Sequence, residues 1–491
     1  MNTRYLKAIA LGAAFAVCIT SCEDWLDVSP KSQIETEDQF SRQSGFEDQL
    51  TGVYTVLCQP ELYGLQTGVG FAEVLSQNYD VDASSSVWHY AADYDYTNSA
   101  VREIIDAIWL KYYNCISNLN LLIEEAEKAE SNLFKGNAKD NILGQAYGLR
   151  GFLHLELMKM FASAPAMDKT AKGVPYVTAH SIEVVQQKSV EETMQMIISD
   201  LKQSYNHLKI VNDALAERGS TVLYEETKFN RFNYYAAVAT LARAYMWMGD
   251  KANAYPYAKF IIDGNDAAEE DESDVYYPFG WVHYSGLLSS NKNDHDVAFS
   301  TEMLFCLTMN NWEKGANVYF HPQAGSDYLS PSTEKVNEIF EIAAALGNDY
   351  RRLYHYENDG SRQYLRKYWY EDGRVGNAKY PLIRMTECYL YAIECLRDSD
   401  PARATELFNA IRSNRGLYDN QFTETLTPEQ IDEELFKEYR KEFVGDGGQL
   451  FFHYYKRLNK TDIKGSAKKG SKAVYVLPIP ETDVEFGGYS N

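Results

Sequence analysis

The stretch LARAYMWMGDKANA spans Leu241–Ala254. Within it Leu241, Ala242, Tyr245, Gly249 and Ala254 stand at the offsets of a tetratricopeptide helix pair, L-G-x₂-Y followed by A, with Ala in place of the first small Gly. Two antiparallel helices can approach closely only where small side chains meet, and Ala242 and Ala254 are placed for that contact. A second stretch, YAIECLRDSDPARATELF, repeats the arrangement with Tyr391, Ala392, Ala404 and Phe408; Ala242 to Ala254 and Ala392 to Ala404 are both twelve residues apart. Any helical hairpin can put Ala at its contact, but two copies at one spacing favour true repeats and predict a mainly α fold of tetratricopeptide-like hairpins with little β.

Outward from the repeats, helix signals continue. TEDQ at Thr36–Gln39, SVEE at Ser189–Glu192 and TPEQ at Thr427–Gln430 fit capping boxes, the last with Pro at the first helical position. Phe40, Phe46, Leu50, Val53, Tyr54 and Leu57 form one apolar stripe. Ile105, Ile108, Trp109, Tyr112, Ile116, Leu119, Ile123 and Ala126 form another at three-and-four spacing. QAYGLRGFLHLELMKMFA is a third helical run, which Pro165 is expected to end.

Between the two repeats the character changes. From Asp263 to Asp274 seven of twelve residues are acidic, and Gly, Asn and aromatic residues follow to about Gly325 without helical periodicity. This reads as long loop or irregular β, where ordered segments in a helical frame often carry function. Aromatic residues cluster here and in one earlier loop. WHYAADYDY holds Trp88, Tyr90, Tyr94 and Tyr96, with Asp80, Asp82, Asp93, Asp95 and Asn98 nearby. YYPFGWVHY holds Tyr276, Tyr277, Trp281 and Tyr284, and WEKGANVYF holds Trp312, Tyr319 and Phe320. A flat ring beside carboxylate and amide groups can stack on a sugar face and bond its hydroxyls; the same rings could clamp a peptide or simply pack locally.

The 491 residues carry a net charge of −23. Such a chain would repel nucleic-acid phosphates, so nucleic acid is not an expected partner. Familiar catalytic patterns fail: GSAKKGSK at Gly465–Lys472 has Ser before Lys, the reverse of a phosphate loop, and neither G-x-S-x-G nor H-E-x-x-H occurs. The nine His lack ligand spacing, and in the acidic run Ala267 and Ala268 occupy the fifth and sixth places of an EF-hand. No metal and no cofactor is expected. Paired carboxylates for glycoside hydrolysis remain open, because with 70 acids some pair can always be found. Cys388 and Cys395, seven apart on a helical pattern, lie about 10.5 Å apart along the axis, too far for a disulfide.

The first residues read as export and anchoring. Arg4 and Lys7 precede an uncharged run from Ala8 to Ile19, too short to span a hydrocarbon core of about 20 residues but the length of a signal-peptide h-region. Ile19-Thr20-Ser21-Cys22 resembles a bacterial lipobox, which implies cleavage before Cys22 and acylation of it; the alternative is an ordinary export signal with a chance Cys. Removing residues 1–21 removes two positive charges and no acid, taking the balance from −23 to −25.

Taken in order, CEDWLDVSPKSQIETEDQF, IWLKYYNCISNLNLLI, LRGFLHLELMKMFASAP, TLARAYMWMGDKANAYPYAKFII, YPLIRMTECYLYAIECL, ELFNAIRSNRGL, LFKEYRKEFVGDGGQLFFHYYKRLN and VLPIPETDVEFG resemble the SusD/RagB family of nutrient-binding outer-membrane lipoproteins of Bacteroidetes, over essentially the whole chain. One departure lies in EFVGDGGQLFFHYYKR, where Asp446 stands for a family Glu and Gln449 near a family Arg. The resemblance implies a signal peptide at 1–21 and one SusD-like domain over 22–491. Within that domain, helical repeats are expected over about 35–262, a loop-rich region over about 263–330 and a helical part over about 331–491. It implies a protein that is not an enzyme, held by lipid on Cys22 in the outer membrane and facing the cell surface, with Glu23 and Asp24 as the export signal. The implied partner is a SusC-like TonB-dependent transporter, to which a nutrient polymer or oligomer is delivered. A glycan or oligosaccharide is the first choice of ligand and a peptide the second; a surface glycoside hydrolase and a ligand-free tetratricopeptide scaffold are the alternatives from other classes. Ligand-binding residues are expected among Trp88, Tyr90, Tyr96, Asp80, Asp82, Trp281, Tyr284 and Trp312. The anchor has a direct check: Cys22→Ala should abolish metabolic labelling with a fatty acid and leave the protein soluble or unprocessed, whereas undiminished label would remove the lipobox reading.

Overall fold

The computed structural model describes residues 36–491 apart from 85–86, 270–276, 290, 292–293, 310–311, 313–315, 321–328, 345, 359–362 and 370–375, with the backbone alone at 220, 224, 267–269 and 316–317. The signal stretch and Cys22 lie outside the described residues, as does most of the acidic run after Asp266.

Nine longer helices pack in chain order. They are α1 (Gln43–Leu57), α2 (Ser99–Lys128), α3 (Ala138–Phe161), α4 (Val190–Glu217), α5 (Tyr234–Met248), α6 (Lys251–Glu269), α7 (Met385–Leu396), α8 (Pro401–Asn414) and α9 (Pro428–Glu442). Each of α1 to α8 packs against the next, and α9 returns onto α7 and α8. This is the nearest-neighbour stacking of a helical repeat array. One apolar core runs through the stack, from Phe40 near the start to Ile479 near the end.

Two of the three capping boxes act where they were read, while α1 starts at Gln43 behind Arg42 and not at Thr36. Ser189 and Glu192 exchange both bonds of a capping box at α4, and Thr427 and Gln430 do so at α9, with Pro428 at its first position. Every residue of the second stripe is buried on α2. α3 stops at Phe161, and Pro165 opens a short helix of its own at Pro165–Asp168. α6 continues to Glu269, so the irregular region begins later than the acidic composition suggested.

Ala242, Ala254, Ala392 and Ala404 are all fully buried on the paired helices α5/α6 and α7/α8. Gly249 ends α5 at φ +76°, a left-handed turn that a glycine adopts without Cβ strain. The two hairpins are riveted by a fully buried ion pair: Arg243 Nε and Nη2 each donate to a carboxylate oxygen of Glu387 at 2.6 Å, and Nη2 also reaches the Leu382 carbonyl at 2.7 Å. A third pair uses glycine at its contact. A Cβ on Gly151 of α3 would come 3.1 Å from the Leu201 side chain of α4, and one on Gly144 would meet Leu208 at 2.6 Å.

Between α6 and α7 the chain forms two small antiparallel ladders. β1 (Met303–Thr308) pairs with β4 (Lys379–Arg384), Thr308 opposite Lys379, with an irregularity before Cys306; β2 (Tyr356–Asn358) pairs with β3 (Gln363–Leu365). β2, β3 and β4 fall in the stretch expected to be helical. Asp446, where the family has Glu, is a buried counterion: it accepts from Lys367 Nζ at 2.9 Å and Arg384 Nε lies 2.9 Å from its other oxygen. The five described cysteines are unpaired, as the Cys388–Cys395 spacing required. Among the described residues no helix is long and apolar enough to cross a membrane.

A bulky residue at the hairpin contacts should overpack them. Ala242→Leu and Ala392→Leu should each cost about 1–3 kcal/mol, read as a lower denaturant midpoint; a wild-type midpoint would argue against these contacts.

Candidate ligand-binding site

The aromatic and acidic residues singled out in the sequence fall in three separate places. In the first, a short helix at Trp88–Ala92 turns Trp88 inward: it is 3% exposed and meets Tyr319 edge-on at 5.7 Å. Tyr96 is 6% exposed, and its hydroxyl donates to the Val474 carbonyl at 2.7 Å, tying this loop to the C-terminal segment. Neither ring offers a free face, a correction to the expected platform; the short helix that follows the loop drives the apolar rings into the core. Asp80 is half-buried, which disfavours its charge, yet the Lys335 ammonium at 2.6 Å and the Ser332 N–H at 2.6 Å outweigh burial and hold the carboxyl below its ordinary range. It works as a clamp between chain segments. Asp82 is exposed and accepts from the Ser84 N–H and hydroxyl, and Tyr90 is exposed at the surface.

Trp312 occupies the second place. It is 4% exposed and stacks on Tyr368 at 5.8 Å, forming one wall of a pocket of about 590 Å³.

Trp281 and Tyr284 meet in the third place, a cleft of about 590 Å³. Sugar- and drug-sized ligands occupy cavities of about 300–1,000 Å³. Tyr284 is 44% exposed and stacks parallel on Tyr350 at 5.0 Å. Trp281 packs on Tyr389 at 4.9 Å, and the Arg415 guanidinium lies 5.1 Å from its ring, which holds the indole in place. Tyr418 is exposed on the far side. Asn265, from the C-terminal part of α6, lines the same cleft. Its side chain is fully buried, its Nδ2 donates to the Tyr389 hydroxyl at 2.9 Å, and its Oδ1 has no partner among the described residues. An unsatisfied buried acceptor costs about 1–3 kcal/mol. A Cβ on Gly280 would meet that Oδ1 alone, at 3.5 Å, so glycine leaves the approach open.

The structure therefore brings together Trp281 and Tyr284 and leaves Asp80, Asp82, Trp88, Tyr90, Tyr96 and Trp312 elsewhere. Asn265, Tyr350 and Tyr418 were not singled out. Each is an ordinary residue in its own stretch of sequence, and only the meeting of α6, the 277–284 segment, the short helix Tyr350–Tyr354 and the turn after α8 assembles them.

A stack of helical hairpins carrying aromatic clefts in the irregular segments between them has known counterparts. The family described as "SusD-like_3: Starch-binding associating with outer membrane" matches residues 24–246. A SusD-like protein, P25, of Formosa agariphila is 18% identical over 481 residues, covering 87% of this chain and 85% of the relative. A second from that organism, SusD-like protein P2, is 22% identical over 351 residues, covering 64% and 63%. Among solved structures, a SusD superfamily protein from Bacteroides thetaiotaomicron superposes with a TM-score of 0.66 at 20% identity, covering 91% of this chain and 98% of its own. A SusD-like carbohydrate binding protein from Bacteroides vulgatus superposes with a TM-score of 0.66 at 17% identity, covering 91% and 96%. Residues 24–246 thus match the SusD-like family, and the fold is that of the SusD superfamily structures.

Core and cleft rings separate by stability. Trp88→Ala should cost about 3–5 kcal/mol, and Tyr284→Ala about 1 kcal/mol or less. Chemical denaturation of the two variants checks this; equal losses would place Tyr284 in the core.

Proposed function

We propose that the protein is a lipid-anchored, surface-facing component of the outer membrane that binds a glycan, in oligosaccharide form, in the Trp281–Tyr284 cleft. The observation that carries the reading is the exposed ring of Tyr284, stacked on Tyr350 beside Trp281 in the cleft that Asn265 also lines. Rings supply the flat apolar face that a pyranose CH surface covers, and the amide supplies an acceptor for its hydroxyls. The family description, which names starch binding and the outer membrane, and the carbohydrate-binding relative support the same class of ligand.

The cleft binds and does not cleave. Glycoside hydrolysis uses a pair of carboxyl groups flanking the scissile bond, and no Asp or Glu is among the described residues lining this cleft. The bound glycan is handed to a SusC-like TonB-dependent transporter over which the lipoprotein acts as a lid. Ligand favours the closed lid only to the extent that it binds that state better.

A glycan and peptide array on the mature chain, followed by titration with the best ligand, tests the reading. Tyr284→Ala and Tyr418→Ala should each weaken glycan binding about tenfold, or about 1.4 kcal/mol, with the fold intact. Peptide binding without glycan binding would transfer the site to peptides; release of cleaved product would make the protein an enzyme.

A further inference from the structure

The pocket walled by Trp312 shares no lining residue with the aromatic cleft and has a different chemistry. It lies between the C-terminal end of α1, the Asn230–Arg231 turn before α5 and the end of β1. Its floor is apolar, from Leu307, Met309 and Trp312, and its rim is polar, from Thr51, Thr55, Gln59 and Asn230. Among the described residues one formal charge lines it, the half-buried Arg231.

That arginine differs from most described arginines of the chain. Arg150, Arg243, Arg351, Arg397, Arg415 and Arg457 each grip a carboxylate at 2.5–2.8 Å. Arg231 has no carboxylate partner among the described residues, and its recorded bond is a donation from Nη1 to the Asn230 carbonyl at 3.0 Å. It is nevertheless held in place, because its guanidinium lies over the Tyr54 ring, 4.6 Å from the centroid. Tyr54 is itself fixed: its hydroxyl donates to Gln145 at 2.8 Å and accepts the Phe232 N–H at 2.8 Å. On its other side Arg231 borders a smaller hollow of about 110 Å³, whose carboxylate, Glu226, is taken by Arg218 at 2.8 Å. At the rim, Lys111 Nζ donates to Gln59 Oε1 at 2.6 Å and lies 3.6 Å from Glu61, so its charge is opposed and the Gln59 amide N–H₂ is left for a ligand.

In a chain with 70 acidic and 47 basic side chains, a stacked guanidinium with no carboxylate partner among the described residues, in a cavity of about 590 Å³, is preorganised for an anion from outside. The guanidinium fork matches carboxylate geometry with two parallel bonds. One uncompensated cation balances one negative charge, which a carboxylate carries and a phosphate monoester, at about −1.5 to −2, exceeds. The Thr, Asn and Gln rim suits hydroxyl groups and the Leu307–Met309–Trp312 floor suits a ring body. We propose that this pocket is a second binding site, selective for a carboxylate-bearing sugar residue of the uronic acid class.

The test compares trigalacturonate, its methyl ester and galacturonate monomer by titration calorimetry on the full mature chain. The wild-type protein should bind the acid at least tenfold more tightly than the ester, and Arg231→Gln should erase that preference. Thr51→Trp, which fills the pocket from an exposed position on α1, should do the same without touching the core. Tyr284→Ala, in the aromatic cleft, should keep the preference, which separates this site from the cleft. The monomer shows whether one residue suffices or a chain is needed, either of which the pocket accommodates. Equal binding of acid and ester by the wild type, no binding of either, or an undiminished preference in both Arg231→Gln and Thr51→Trp overturns the proposal. The Thr51→Trp arm decides the matter should Arg231→Gln not fold.

Discussion

Arg415 is the fixed point from which the aromatic cleft is built. Its guanidinium is wholly buried between two carboxylates, with Nη2 at 2.6 Å from Glu302 and 2.8 Å from Glu442. Glu302 also accepts the Val282 N–H at 3.1 Å, which pins the segment carrying Trp281 and Tyr284. The Arg415 carbonyl accepts the Tyr350 N–H at 2.9 Å, and the guanidinium packs on Trp281. Gly416, at φ +79°, completes the turn: a Cβ there would lie 2.2 Å from the Tyr350 ring. One side chain thereby sets three parts of the cleft that are far apart in sequence.

The cost of that arrangement is desolvation, and the surrounding charges offset it. Arg351 bridges Asp349, Glu438 and Glu442 from the other side of the same network. Burial works against the charge on Glu438, but Arg351 and Lys441 outweigh it and bring its carboxyl to about 2. A buried network of this kind is not a large net source of stability, but removing one partner leaves an uncompensated charge and costs about 3–5 kcal/mol. Its use here is geometric. The helical stack needs only apolar stripes and small residues at contacts, whereas the irregular segments between α6 and α7 have no periodic pattern to register them. Buried ion pairs register them instead.

The two cavities differ because their charges are treated differently. In the aromatic cleft Arg415 is neutralised from beneath, so the surface offered to a ligand is ring faces, an amide and hydroxyls. In the other pocket Arg231 is braced by a ring and has no carboxylate partner among the described residues. Neutral and acidic sugars would thus find separate sites on one scaffold.

Much of the scaffold was legible along the chain. The LARAYMWMGDKANA spacing placed α5 and α6, the capping boxes at Ser189 and Thr427 placed helix starts, and the stripe from Ile105 to Ala126 placed the inner face of α2; the same ordered motifs pointed to the SusD-like family before any coordinates. These are local signals, governed by a helical period of 3.6 residues and by which side chains satisfy the first free N–H groups. Gly144, Gly148 and Gly151 were equally readable as a close helix contact and were not used. The site was legible only in part. An aromatic residue in a loop has the same local sequence whether it faces water or core, so Trp88, Tyr96 and Tyr284 could not be told apart by pattern; a short helical turn buries the first, a hydroxyl bond to Val474 the second, and the Tyr350 stack leaves the third at the surface. Sequence by itself determined the helices and the resemblance to SusD-like proteins, because both depend on near neighbours. Which rings form a cleft, and how Arg231 is held over Tyr54, only the tertiary structure decided, because both depend on contacts between residues far apart in the chain.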